Sequence, residues 1–168
     1  MTDWMTAKQD HNTWGDPDKD KDYIALKQFL LSTVNVGCTT LEIGSLDGKW
    51  TKYLSHCLNI CVDVGDAGFI RFKDKYPHIP ATFYQTKGDE LKGIQDNSVD
   101  VVFSFDTFIL LTKEQVDSYI KEIKRVLKPR GQVLLMVGYK QAHGVYCNTD
   151  LSPMILTRNG IVLYQVKA

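Results

Sequence analysis

A chain of 168 residues has the size of one domain able to bury a core without disulfides or metal. Lysine plus arginine and aspartate plus glutamate number 20 each, so no net field draws in bulk nucleic acid. The opening 22 residues are polar and acidic and no apolar run approaches the roughly 18 residues of a membrane span, which predicts a cytoplasmic protein with no membrane contact.

Residues 1–20 place Trp4 and Trp14 among turn formers such as GDPD and read as an irregular arm, with a lid that carries His11 as one use of it. The remainder, 21–168, reads as one core. From Asp22 the apolar positions Tyr23, Leu26, Phe29, Leu30 and Val34 recur at helical spacing, and residues 35–37 supply a stop. Strands and helices then alternate: strand TTLEIG, helix KWTKYLSHCL, strand NICVD, a helix over 67–76, strand ATFYQT, strand SVDVVFSF, a helix over 113–127 and strand QVLLMVG. That alternation predicts an α/β fold, a doubly wound, mostly parallel sheet with helices on both faces.

The helix over 113–127 has the best-marked ends. Thr112 and Gln115 form a capping box, Leu111 and Val116 are spaced for a hydrophobic staple, and KPRG closes it. After Gly138 there is room for a loop, a short helix around 151–158 and one last strand, IVLYQVKA.

LEIGSLDGKW, residues 41–50, reads as strand, glycine turn and helix, a geometry that cradles a nucleotide-like ligand. Asp63 closes the next apolar run, where a ribose-binding carboxylate stands in such sheets. Cys38, Cys57, Cys61 and Cys147 lack CxxC spacing and read as reduced structural thiols; His11, His56, His78 and His143 form no HxxxH or HExxH, so no metal is expected.

The order LEIGSLDGKW, CVDVGDAG, GDELKGIQDNSVDVVFSFDTFILL and YIKEIKRVLKPRGQVLLMV resembles the class I S-adenosylmethionine-dependent methyltransferases, particularly their small-molecule group, over about residues 40–137. The resemblance implies a Rossmann-like fold and S-adenosylmethionine as cofactor. It sets Glu42, Gly44, Ser45, Leu46 and Gly48 in the turn under the methionine moiety, with Asp63 on the ribose hydroxyls and Val64 beside it. Gly88 and Asp89 fall where the family reads adenine, and Phe105 and Asp106 line cofactor and acceptor. Asp106 and His143 are the candidate bases.

Three departures stand out. Leu46 replaces the middle glycine of ExGxGxG, Lys87 can fall where relatives carry the adenine-reading aspartate, leaving Asp89 or Glu90 to replace it, and Leu110 stands where sugar-modifying and other small-molecule relatives have a histidine. The family also ends in two further strands, for which the tail has room for about one. The sheet is then reduced, or a partner, a second copy of the chain in a homodimer, covers the open edge.

Two functions follow: methyl transfer to a small polar acceptor such as a sugar or hydroxylated metabolite, and a catalytically reduced binding or regulatory module on the same fold. A nicotinamide-dependent oxidoreductase fits less well, because GxGxxG is absent.

Overall fold

The computed structural model describes residues 16–139, 151–156 and 161–166. Three helices, α1 (Lys21–Thr33), α2 (Ala67–Lys75) and α3 (Lys113–Val126), flank seven strands: β1 (Thr39–Ile43), β2 (Leu58–Asp63), β3 (Ala81–Gln85), β4 (Val99–Ser104), β5 (Leu127–Tyr139), β6 (Leu151–Leu156) and β7 (Ile161–Val166). They form one sheet in the order β3-β2-β1-β4-β5-β7-β6. β1 to β5 pair in parallel, whereas β7 lies antiparallel between β5 and β6.

Period-two alternation splits the core in two. Leu41, Ile43, Val102, Val133 and Leu135 face one side and pack with Val116, Tyr119, Ile120 and Ile123 of α3. Val101, Phe103, Leu134 and Met136 face the other and pack with Tyr23, Leu26 and Leu30 of α1. Both faces are thereby covered, as a parallel sheet requires. Chain order reverses direction between β1 and β4, and ligands in open α/β sheets bind at the carboxyl ends of such strands.

Two expected helices are absent. Over residues 49–58 there is only one 3-10 turn, Thr51–Tyr53. Trp50, Leu54 and Cys57 carry the helical spacing, yet they reach the α1-side core from a chain of turns. The Leu54 and Cys57 carbonyls accept from the buried Asn59 side-chain amide at 2.9 and 3.3 Å, which satisfies backbone a helix would otherwise have to satisfy.

The second difference is at the tail, where Leu151–Leu156 is strand β6 rather than a short helix. It pairs with β7, its register shifts between Pro153 and Ile155, and it is an edge strand, where proline is tolerated. The sheet therefore has both further strands, with β7 inserted antiparallel, and is not reduced. The missing strand that motivated a homodimer is thus present, and β6 forms that edge of the sheet.

Candidate active site

The carboxyl ends of β3, β2, β1 and β4 lie in that order and open onto one cavity of about 400 Å³. Its lining includes Thr86 and Gly88 after β3, Asp63 and Val64 at β2, Glu42 to Leu46 at β1, and Phe105 to Thr107 after β4. Tyr119 of α3 and Lys49, Trp50, Leu110 and Leu111 complete the wall.

The β1 turn is built from left-handed residues: Gly44 at φ +80°, Leu46 at +42° and Gly48 at +71°. Gly44 donates to the Val62 carbonyl at 2.7 Å, and Gly48 to that of Ser45 at 2.8 Å. A Cβ on Gly44 would fall 1.8 Å from Thr107 Oγ1, and one on Gly48 would fall 2.1 Å from the Phe72 ring. Glycine at both positions is thus demanded by space as well as by φ.

Asp63 ties the turn to β2. One carboxylate oxygen accepts the Leu46 amide at 2.9 Å and the other the Val64 amide at 2.7 Å. Each oxygen keeps a free lone pair, so the carboxylate can also receive two hydroxyl donors from the cavity.

Glu42 is buried, accepts from the Thr51 hydroxyl, and is pushed up to about 8 by burial. Ser45 Oγ, beside the Cys61 thiol, is buried without a full hydrogen-bond partner. An orphaned hydroxyl in the cavity wall, a carboxylate open to a diol and a volume in the usual range for small-ligand sites fit a nucleoside-bearing cofactor.

At the other end Asp106, at φ +66°, accepts from Tyr23 Oη at 2.6 Å. Burial raises its carboxyl, opposed by the Tyr23 hydrogen bond and the Lys49 charge, while Asp20 adds to the rise. Trp50 packs between Tyr23 and Phe105, with ring centroids 6.0 and 4.5 Å away.

Of the residues singled out from sequence, Glu42, Gly44, Ser45, Leu46, Asp63, Val64, Gly88, Phe105 and Asp106 line this cavity. Gly48 is not in the lining and packs on Phe72 beneath the turn. Asp89 and Lys87 are exposed and also outside it. Leu110, the departure from the histidine implied by the resemblance, lies in the wall. His143, His11, Trp4, Trp14 and Cys147 lie outside the described residues.

Sequence reasoning missed Tyr23, Lys49, Thr86 and Tyr119. Tyr23 and Tyr119 look like ordinary core positions of amphipathic helices, and their hydroxyls gain partners only through the fold. Among the described residues no group of three or more His, Cys, Asp or Glu could hold a metal, and no helix is long and apolar enough to cross a membrane.

The sheet order, with a glycine turn at β1 and a carboxylate ending β2, is that of the Rossmann-like methyltransferase fold. The chain belongs to the methyltransferase domain family, whose model matches residues 41–135. It is 33% identical over 105 residues to phosphoethanolamine N-methyltransferase 1 of Triticum aestivum, a match that takes in 59% of this chain and 21% of that protein, so the chain spans about a fifth of its curated relative.

Solved structures share the fold. A TehB-like S-adenosylmethionine-dependent methyltransferase from Corynebacterium glutamicum superposes with a TM-score of 0.65 at 13% identity, covering 88% of this chain and 92% of that one. One from Aquifex aeolicus gives 0.61 at 17%, covering 83% and 87%. Phosphoethanolamine N-methyltransferase 1 of Haemonchus contortus, in complex with phosphoethanolamine and S-adenosylhomocysteine, gives 0.61 at 16%, covering 73% and 28%.

Proposed function

We propose that this chain transfers a methyl group from S-adenosylmethionine to a small polar acceptor, with Asp63 holding the ribose and Asp106 receiving the acceptor's proton. The observation that carries the reading is the single cavity running from Asp63 to Asp106 across the ends of four neighbouring strands. The cofactor supplies an electrophilic methyl group on a sulfonium sulfur.

The chain's own residues orient the partners and exclude water, and holding donor and acceptor in line supplies much of the acceleration. Glu42, Gly44, Ser45 and Leu46 are the groups for the methionine end. Asp106 can take a proton from a hydroxyl or an amine lying in the cavity, and Tyr23 keeps its carboxylate aimed. Trp50 and Phe105 wall off that end.

Sugars and other hydroxylated molecules are the first acceptors proposed. Lys49 beside Asp106, with the wheat relative named for phosphoethanolamine, adds a phosphorylated amine to the set. Of the four features that favour the binding-module reading, Leu46 and Leu110 stand in the cavity wall, Lys87 lies outside it, and the missing strand is present.

Titration calorimetry with S-adenosylhomocysteine is the test. Micromolar binding that falls at least about 30-fold in Asp63→Ala, from two charge-assisted hydrogen bonds, is expected. No binding at millimolar ligand would end the reading, while binding with no turnover on any acceptor tried would favour the binding module.

A further inference from the structure

We infer that the Tyr119 hydroxyl, held by Thr86, is the acceptor that reads the amino edge of adenine, and so sets the base specificity of the cofactor site. This rests on the cofactor reading above and names a residue on α3, far in sequence from the loop expected to read the base.

The placement follows from the strand order. With Asp63 at the end of β2 on the ribose and the methyl group directed toward Asp106 after β4, the base lies on the opposite side of Asp63, at the end of β3. There the polar groups in the wall are Thr86 and Tyr119, together with the backbone of Gly88. Val64 flanks them, its Cγ1 3.8 Å from where a Cβ on Gly88 would stand, and offers an apolar surface for a flat ring. Asp89, the residue expected here from the resemblance, is exposed and is not part of this wall, although its charge is felt at Tyr119.

The direction of the hydrogen bonds makes Tyr119 an acceptor toward the cavity. Thr86 has one hydroxyl hydrogen, and it goes to the Glu90 carbonyl at 2.7 Å. Thr86 Oγ1 also accepts the Gly88 amide at 3.1 Å. The remaining contact, 3.3 Å between Thr86 Oγ1 and Tyr119 Oη, must therefore use the tyrosine's hydrogen. Tyr119 keeps that hydrogen, because burial, opposed by the Thr86 contact and joined by the nearby carboxylates of Asp89, Asp63 and Glu90, raises its phenol further above neutrality.

Its oxygen is left with lone pairs only. An exocyclic amino group donates to such an oxygen, whereas the carbonyl oxygen of a hypoxanthine ring meets it lone pair to lone pair. A buried polar group matched to one partner rejects the wrong one through the bond left unmade.

The experiment compares S-adenosylhomocysteine with S-inosylhomocysteine by calorimetry on the full chain. Native protein is expected to prefer the adenosine form at least about tenfold. Tyr119→Phe, which keeps the ring packed against Phe108 at 5.6 Å, is expected to weaken the adenosine form about 3- to 10-fold and bring the preference near unity. Thr86→Val frees the tyrosine's hydrogen to turn toward the ligand, and is expected to narrow the preference by strengthening the inosine form.

Thermal unfolding of each variant separates a lost contact from a lost fold. An unchanged preference in a folded Tyr119→Phe protein would overturn the assignment, as would loss of the preference in Asp89→Asn alone. Failure of the native chain to bind S-adenosylhomocysteine would remove the cofactor reading, and the assignment with it.

Discussion

Leu46 shows how one side chain alters a shared turn. At φ +42° it occupies a region that costs a leucine about 1–2 kcal/mol, and its side chain is 63% exposed, so little burial repays that cost. The Asp63 carboxylate accepts the Leu46 amide and holds the strained residue in place. Glycine would remove the strain at an entropic cost of about 0.5–1 kcal/mol. Leu46→Gly should therefore gain up to about 1 kcal/mol of stability and bind S-adenosylhomocysteine more tightly, since an exposed apolar side chain leaves the cavity wall. Parallel denaturant unfolding and calorimetry measure both, and a variant that is less stable and binds less tightly would contradict this account.

Glu42 makes a different prediction. Its carboxyl sits at about 8 in the folded chain, against an ordinary 4.5, because burial penalises the charge more than the Thr51 hydrogen bond favours it. A group raised on folding binds its proton more tightly in the native state. Its contribution is thus complete below pH 4.5 and is lost as the pH rises toward 8. Glu42→Gln keeps a neutral acceptor for Thr51 and cannot ionise. Without ligand, the variant should gain in melting temperature relative to the native chain as pH goes from 5 to 8; parallel curves across that range would show that Glu42 is not the group responsible.

Among the elements, α3 was legible down to its N-cap, whereas KPRG, read as the stop after it, already runs in β5. Thr112 accepts the Gln115 amide at 3.3 Å and the Gln115 side chain accepts the Thr112 amide at 3.0 Å. Val116, Tyr119, Ile120, Ile123 and Val126 are buried along one face. Because Thr112 is exposed, the capping contribution can be read almost alone, and Thr112→Ala should cost about 1 kcal/mol, or about 2–4 °C in melting temperature for a domain of this size. A change below half a degree would mean that the cap is redundant with packing.

The 49–58 segment failed as a helix for a reason that its apolar period does not register. Trp50, Leu54 and Cys57 have a helical period, but the decisive partner is the Asn59 side chain. It sits at the base of β2, accepts from the Thr40 hydroxyl at 2.7 Å, and donates to the carbonyls that a helix would claim. At the tail, Asn159 and Gly160 stand between the apolar runs 151–156 and 161–166, a hairpin signal that outweighs the brief helical reading.

Across the whole molecule, strand order arranges the chemistry. Asp63, Glu42 and Asp106 stand on three neighbouring parallel strand ends, β2, β1 and β4, although 21 and then 43 residues separate them in the chain when taken as 42, 63 and 106. Tyr23 reaches Asp106 across 83 residues, and Thr86 reaches Tyr119 across 33. Both contacts lie outside anything periodicity or spacing can register.

By itself the sequence determined the alternation of strands and helices, the glycine turn, the carboxylate at the end of β2 and the methyltransferase family, because these depend on local period, turn chemistry and short-range motif order. Only the tertiary structure decided that residues 49–58 are turns, that two strands close the sheet, that Asp89 stands outside the cavity, and that two tyrosine hydroxyls meet Asp106 and Thr86. Those outcomes depend on which strand ends lie side by side and where a buried polar atom finds its partner, and both are settled when the whole sheet packs.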